Sequence, residues 1–130
     1  MLQPNFRKKL GCNGEQIAEK WLVERGYKLV MRNFTMFGGQ IDLIMNSPQG
    51  NLVFIEVKTR SVEHTGQQIE QKIGIKQILT LRRAAKHFLE NNSIHFKAWQ
   101  FDLLWITFSP ASGGKPPLAK IRHYKDVLAA

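Results

Sequence analysis

A single cysteine, Cys12, in 130 residues excludes an internal disulfide and any zinc cluster built from thiolates. Long apolar runs are missing as well, and none approaches the ~20 residues that a membrane helix needs. The opening residues, Met1-Leu2-Gln3-Pro4-Asn5-Phe6-Arg7-Lys8-Lys9, lack the apolar stretch and small-residue cleavage site of a secretory signal. These absences lead us to expect a cytoplasmic protein with no membrane partner. Neither an internal repeat nor a long low-complexity segment is present. Acidic residues are scarce: ten Asp and Glu face nineteen Lys and Arg, for a formal charge of +9. With a pI near 10.0, this is the usual footprint of a nucleic-acid binder. A basic protein with no such partner accounts for the charge equally well.

What is present fits one domain over residues 1–130, with 43% hydrophobic residues to fill a core. Residues 7–25 read as a helix that Gly26 ends. Strands follow at Tyr27–Phe34, Gln40–Met45 and Leu52–Thr59, parted by turns at Gly38-Gly39 and Ser47-Pro48-Gln49-Gly50-Asn51. Short links make these three an antiparallel meander. Residues 61–68 read as a loop, Ile69–Glu90 as a long helix with Gly74 in its first turns, and Phe96–Phe108 as a fourth strand. A proline- and glycine-rich loop, Ser109–Pro117, leads to an edge strand at Leu118–Tyr124. The order α-β-β-β-α-β-β gives an α/β fold, a mixed sheet flanked by helices.

Two of these strands carry acids where a strand should be apolar: Asp42 within Gly39-Gln40-Ile41-Asp42-Leu43-Ile44, and Glu56 within Leu52-Val53-Phe54-Ile55-Glu56-Val57-Lys58. A buried carboxylate is unfavourable unless it is paired or holds a metal. Alternation along a strand puts Glu56 and Lys58 on one face, and hairpin pairing would set Asp42 beside Glu56. Two carboxylates and a lysine suit phosphodiester cleavage: hard oxygens hold magnesium or manganese, and the lysine orients water or offsets charge on the phosphate. A structural salt bridge from Lys58 to Asp42 or Glu56 explains the same residues without catalysis. Glu15 lies about 20° from Leu22 on the first helix's wheel, at the margin of the apolar arc of Ile17, Ala18, Trp21 and Leu22. It is either an accessory acid or a solvated helix glutamate. Gly11 and Gly14 on that side would let the helix approach the sheet closely.

Taken in order, Gly11-x-x-Gly14-Glu15-x-x-Ala18, Gly26-Tyr27, Arg32-Asn33, Gly39-x-Ile41-Asp42-Leu43-Ile44, Val53-Phe54-Ile55-Glu56-Val57-Lys58-x-Arg60, Gly66, Lys76-Gln77 and Phe101-Asp102 resemble the bacterial YraN-like family across nearly the whole chain. The resemblance implies a restriction-endonuclease-like fold of the PD-(D/E)XK superfamily, similar to archaeal Holliday-junction resolvases. It implies Asp42 and Glu56 as metal ligands, joined by the backbone carbonyl of Val57, with Lys58 as catalytic lysine and Glu15 as accessory acid. It also implies a Mg- or Mn-dependent nuclease, with branched DNA among its expected substrates. Two positions depart from the family pattern. Gln40 stands where the family usually has glutamate, and Thr35 or Met36 where it often has another arginine.

On the long helix, Lys72, Lys76, Arg83 and His87 fall within about 60° of one another, opposite a buried arc of Ile75, Ile78, Leu81, Ala84, Ala85, Phe88 and Leu89. Such a stripe can follow phosphates or simply be a solvated face; we take it, with Arg32 and Arg60, as the candidate nucleic-acid surface. Arg7, Lys8 and Lys9 could add a basic arm. His64, in the loop after Lys58, could approach a substrate, whereas His95 and His123 carry no signal. Trp99, Phe101 and Trp105 share a strand face and read as core before they read as a base-stacking row. Asp102 reads as structural.

The sequence therefore points to a metal-dependent nuclease acting on nucleic acid, DNA in preference to RNA. A homodimer is the arrangement suited to cutting both strands. The competing readings are a nucleic-acid-binding module on the same fold without cleavage, and a basic protein that meets an acidic protein partner. Replacing Lys76 and Arg83 with Ala should flatten the salt dependence of nucleic-acid binding by about one unit of logarithmic slope per lost phosphate contact. A titration over a range of salt checks this, and an unchanged slope takes the helix out of the interface.

Overall fold

In the computed structural model the described residues are 6–61 and 75–128, with side chains described for 14–60 and 77–128. Seven elements follow one another: α1 (Phe6–Glu24), β1 (Lys28–Met36), β2 (Gly39–Asn46), β3 (Leu52–Ser61), α2 (Ile75–Asn91), β4 (Trp99–Ser109) and β5 (Leu118–Tyr124). This is the expected order, and the five strands form one mixed sheet, β1-β2-β3-β4-β5. All neighbours run antiparallel except β3 and β4, whose parallel pairing needs the crossover that α2 supplies. The expected first turns of the second helix, residues 69–74, lie outside the described residues, as do His64, Gly66 and Lys72. Among the described residues, no helix is long and apolar enough to cross a membrane.

Local chemistry sets the element ends. Gly26, at φ +91°, closes α1. Its N–H donates to Val23 O at 3.0 Å and the Tyr27 N–H donates to Leu22 O at 3.0 Å, the Schellman arrangement that a left-handed residue after a helix permits. The β1–β2 turn sits one residue earlier than the sequence suggests. Phe37 (φ +56°) and Gly38 (φ +77°) make it, and Gly39 already pairs with Met36. Two positive φ angles match the twist of a two-residue hairpin. The β2–β3 turn is held by Ser47, whose Oγ accepts the Asn51 N–H at 3.0 Å.

Each sheet face buries one helix. On the α1 side, Ala18 and Leu22 pack with Leu43, Met45, Val53, Ile55, Leu104 and Ile106. On the α2 side, Leu81, Ala84, Ala85 and Phe88 pack with Ile41, Ile44, Leu52, Phe54 and Phe101. Phe88 meets Phe34 and Phe54 edge-on at ring separations of 5.4 and 5.9 Å. Among the described residues, the apolar arcs expected on both helices are the faces turned to the sheet.

Asp102 is structural, as expected, but its partner was not foreseen. Its fully buried side chain takes His123 Nε2 at 2.6 Å, Gln100 Nε2 at 2.8 Å and the Asp126 N–H at 2.9 Å. His123 lies in turn against Trp21 and Tyr27, and burial together with the Asp102 charge pushes the Tyr27 phenol above its ordinary pKa. This knot fastens β5 and the segment after it to β4, where the Val127 N–H also donates to Phe101 O at 2.8 Å.

Gly14 is buried on α1 where the helix lies against Thr59 of β3. A Cβ there would collide with Thr59 Cγ2. Gly14→Ala should therefore destabilise the protein by about 1–3 kcal/mol through overpacking, and Thr59→Ser, which deletes the opposing methyl, should restore most of the loss in the double variant. Urea unfolding of the two single variants and the double variant checks this.

Candidate active site

The β2–β3 ladder runs from Asn46–Leu52 to Leu43–Ile55 and stops there. Continued, its register would set Asp42 opposite Glu56 and Ile41 opposite Val57. Instead the Val57 N–H donates to Asp42 Oδ2 at 2.8 Å. A side-chain carboxylate has taken the place of a backbone carbonyl, and the strands part. The same break shows in the packing of β2. Leu43 belongs to the α1-side core and Ile41 to the α2-side core, although residues two apart on a regular strand share a face. The chain turns through Asp42, opposite which β1 carries Asn33 at φ +52°, a backbone region that asparagine tolerates.

Around this break the structure gathers Asp42, Glu56 and Lys58. Lys58 Nζ lies 3.2 Å from Glu56 Oε1, with the two side chains 36% and 12% exposed. Gln77, near the start of α2, donates from Nε2 to the same Glu56 oxygen at 3.0 Å. Glu56 Oε2 is buried and has no hydrogen-bond partner among the described residues. Asp42 Oδ1 accepts from Gln40 Nε2 at 3.3 Å, and Gln40 Nε2 also donates to Asn33 Oδ1 at 3.1 Å. Gln77 and Asn33 were visible only as parts of the family pattern, because their spacing in sequence says nothing of a contact across helix or strand.

Burial pushes the Asp42 carboxyl up to about 6. The Glu15 and Glu56 charges push the same way, whereas the Val57 N–H and Lys58 oppose the rise. Glu15 is half-buried and stands on the α1 side, where it lines a cavity of about 530 Å³ with Glu19, Arg32 and Asn33. It influences Asp42 through its charge, with Asp42 and Glu56 outside that lining.

The expected basic residues are placed variously. Arg32 is exposed but held by Glu19 in a bidentate pair at 2.6 and 2.8 Å, and this bonding raises its pKa. Arg60 donates to Thr59 O and lies over the Trp105 ring at 5.2 Å. Arg83 is exposed and lies over Phe37 at 4.8 Å, with His87 edge-on to the same ring. Lys76 is on α2, its side chain outside the described set; Lys72 lies outside altogether.

Among the described residues, no group of three or more His, Cys, Asp or Glu side chains is placed to hold a metal. The oxygen donors at the break are two carboxylates and the Val57 carbonyl, which lies on the same side of β3 as the Val57 N–H. That set fits magnesium, which commonly takes one or two carboxylates and completes its shell with water and substrate phosphate. Glu56 Oε2, without a hydrogen-bond partner among the described residues, is the carboxylate oxygen of that set that such a cation would engage.

A family model described as "Uncharacterised protein family UPF0102" matches residues 14–106, which span the break and both of its carboxylates. A UPF0102 protein of Corynebacterium efficiens is 34% identical over 108 residues, 83% of this chain and 85% of the relative. One from Desulforamulus reducens is 32% identical over 123 residues, covering 94% and 97%, and one from Bifidobacterium longum 37% over 101 residues, covering 76% and 81%.

The raised Asp42 pKa has a consequence for stability. Between the unfolded value of 3.8 and about 6 the folded chain binds the extra proton, so stability falls as pH rises through that window and levels off above it. Asp42→Asn keeps an oxygen for the Val57 N–H but no charge. In metal-free buffer it should be more stable than the wild type at pH 7, by at most about 3 kcal/mol, and the two should converge near pH 4. Denaturant melts at several pH values check this; a difference that does not vary with pH contradicts it.

Proposed function

This chain belongs to the uncharacterised protein family UPF0102, and we propose that it is a divalent-cation-dependent nuclease whose centre is Asp42, Glu56 and Lys58. The observation that carries this reading is the ladder break. It sets two carboxylates and a lysine at one opening, with one buried carboxylate oxygen that has no partner among the described residues. A purely structural ion pair would have no need to open the sheet there.

In this reading Asp42 Oδ2 is fixed by the Val57 N–H, and Glu56 Oε1 by Gln77 and Lys58. These contacts hold both carboxylates before substrate arrives. Bound magnesium or manganese would polarise the scissile phosphate and lower the pKa of water. Lys58, about one-third exposed, reaches solvent at the opening and supplies positive charge to the phosphate oxygens as negative charge grows on them. The Val57 carbonyl offers a third oxygen. The +9 charge draws a polyanion toward an opening that its own carboxylates would otherwise repel, with duplex or branched DNA the favoured substrate.

A second reading rests on Gln40. Its amide donates to Asp42 Oδ1, something an ionised glutamate at this position could not do. The hydrogen bond steadies Asp42 without a cation and occupies one of its oxygens. That favours a nucleic-acid-binding module which has kept the fold and lost cleavage.

A panel of branched, single-stranded and duplex substrates with magnesium or manganese separates the two. For the nuclease, Asp42→Asn should lower cleavage at least about 100-fold together with cation affinity. Lys58→Ala should lower cleavage by about as much while cation binding survives. Gln40→Glu should tighten cation binding or raise the rate. If wild type and Gln40→Glu both bind nucleic acid, yet neither binds cation nor cuts any substrate, the binding-module reading stands.

A further inference from the structure

The described members of the basic stripe, Arg83 and His87, lie on one flank of α2 against Phe37. The other flank carries two cations that the stripe leaves out. Arg82 and Lys86, one helical turn apart, are both exposed, and they line a cavity of about 500 Å³ together with Trp99, Gln100 and Asp126. From this cavity we infer a second nucleic-acid subsite, one that takes an unpaired nucleotide with its base on Trp99 and its phosphate on Arg82 and Lys86. The inference rests on the nucleic-acid reading above.

Trp99 is 42% exposed, unlike Phe101 and Trp105 on the same strand face, which are buried. It is not loose. Phe54 and Phe101 meet it edge-on at ring separations of 5.9 and 6.3 Å. A rigid indole with exposed surface, held at its sides, is a platform on which any base can stack. Asp126 at the rim offers a carboxylate that can accept from a base. Arg82 gives one guanidinium nitrogen to Leu128 O at 3.0 Å, which fixes its head at the rim of the cavity. Among the described residues of the lining, two cations against one carboxylate favour an anion, and the indole favours a planar ring, so a nucleotide meets both conditions.

The position suits a strand leaving the candidate active site. Trp99 pairs with Leu52, four residues before Glu56 on β3, or about 13 Å along the strand. Lys86 lies nine residues beyond Gln77, about 13 Å along α2. The two estimates agree, and they place the subsite roughly four base-pair rises from the scissile phosphate. A substrate with an unpaired arm can reach both sites at once, whereas a blunt duplex keeps its bases stacked and cannot offer one to Trp99.

The test compares a labelled ten-nucleotide single strand with a blunt duplex of the same sequence, by fluorescence anisotropy of the full chain in the presence of a chelator. Trp99→Leu should weaken single-strand binding roughly 5- to 150-fold, the usual range for one lost base stack, and leave duplex binding within about twofold. Trp99→Phe keeps a ring and should bind the single strand nearly as well as the wild type. Equal single-strand affinity for wild type and Trp99→Leu, or an equal loss on both ligands, overturns the subsite while the nuclease reading stands. A wild type that binds neither ligand overturns both. Should Trp99→Leu not fold, the exposed Lys86→Glu variant decides. It must lose at least about tenfold on the single strand and less on the duplex, and unchanged single-strand binding overturns the subsite.

Discussion

The N–H of Val57 can meet one of two acceptors, and the rest of the site depends on which it takes. In a continued ladder it would meet the carbonyl of Ile41; in the structure it meets the carboxylate of Asp42. A charged acceptor makes the stronger hydrogen bond, and the exchange leaves the Val57 carbonyl and the Glu56 side chain at an opening rather than in a closed sheet. Both flanking layers accommodate the break. Ile41 turns into the α2-side core, Asn33 takes a left-handed backbone opposite, and Gly14 lets α1 lie close against Thr59. Pairing of β2 with β3 holds from the turn as far as Leu43 and Ile55, and the strands stay apart from Asp42 and Glu56 onward.

Electrostatics at the opening is unbalanced by design of the sequence. One ammonium, Lys58, serves Glu56 directly, while Asp42 has neutral donors only, Val57 N–H and Gln40 Nε2. Burial and two neighbouring acids hold Asp42 near the point where it loses its charge. Such a site stores unfavourable energy that a cation would relieve. Gln40 softens the imbalance by donating where the family pattern would place another acid.

Much of this was legible in the sequence, for identifiable reasons. Alternation and turn residues located every strand, because Gly and Asn at the turns bound runs of apolar residues. Acids inside two such runs singled out Asp42 and Glu56. Contacts that join elements distant in sequence were not legible: Gln77 to Glu56, Asn33 to Gln40, and above all His123 to Asp102. His123 sits on an edge strand with no local pattern to mark it, and only the pairing of β4 with β5 brings it to Asp102. The role of Arg32 was equally hidden, since Glu19, one helix away, takes both sides of its guanidinium. The turn at Phe37-Gly38 was read one residue late because Gly39 looks like a turn residue, when its lack of a side chain answers instead to Thr80 on α2.

The single parallel pair in the sheet also orders events in time. β1, β2 and β3 pair through short turns, so the meander that carries Asp42, Glu56 and Lys58 closes only small loops. The β3–β4 pair joins Leu52 to Trp99, and that loop must close around α2 before either helix-side core is complete. Closing large loops raises the entropic barrier and slows folding. The meander can therefore assemble early, with its acids still in water. The parallel pair comes later, and only then does α2 bring Gln77 to Glu56. The apolar faces of the meander stay exposed in the interval, which makes this the stage of folding most open to wrong association.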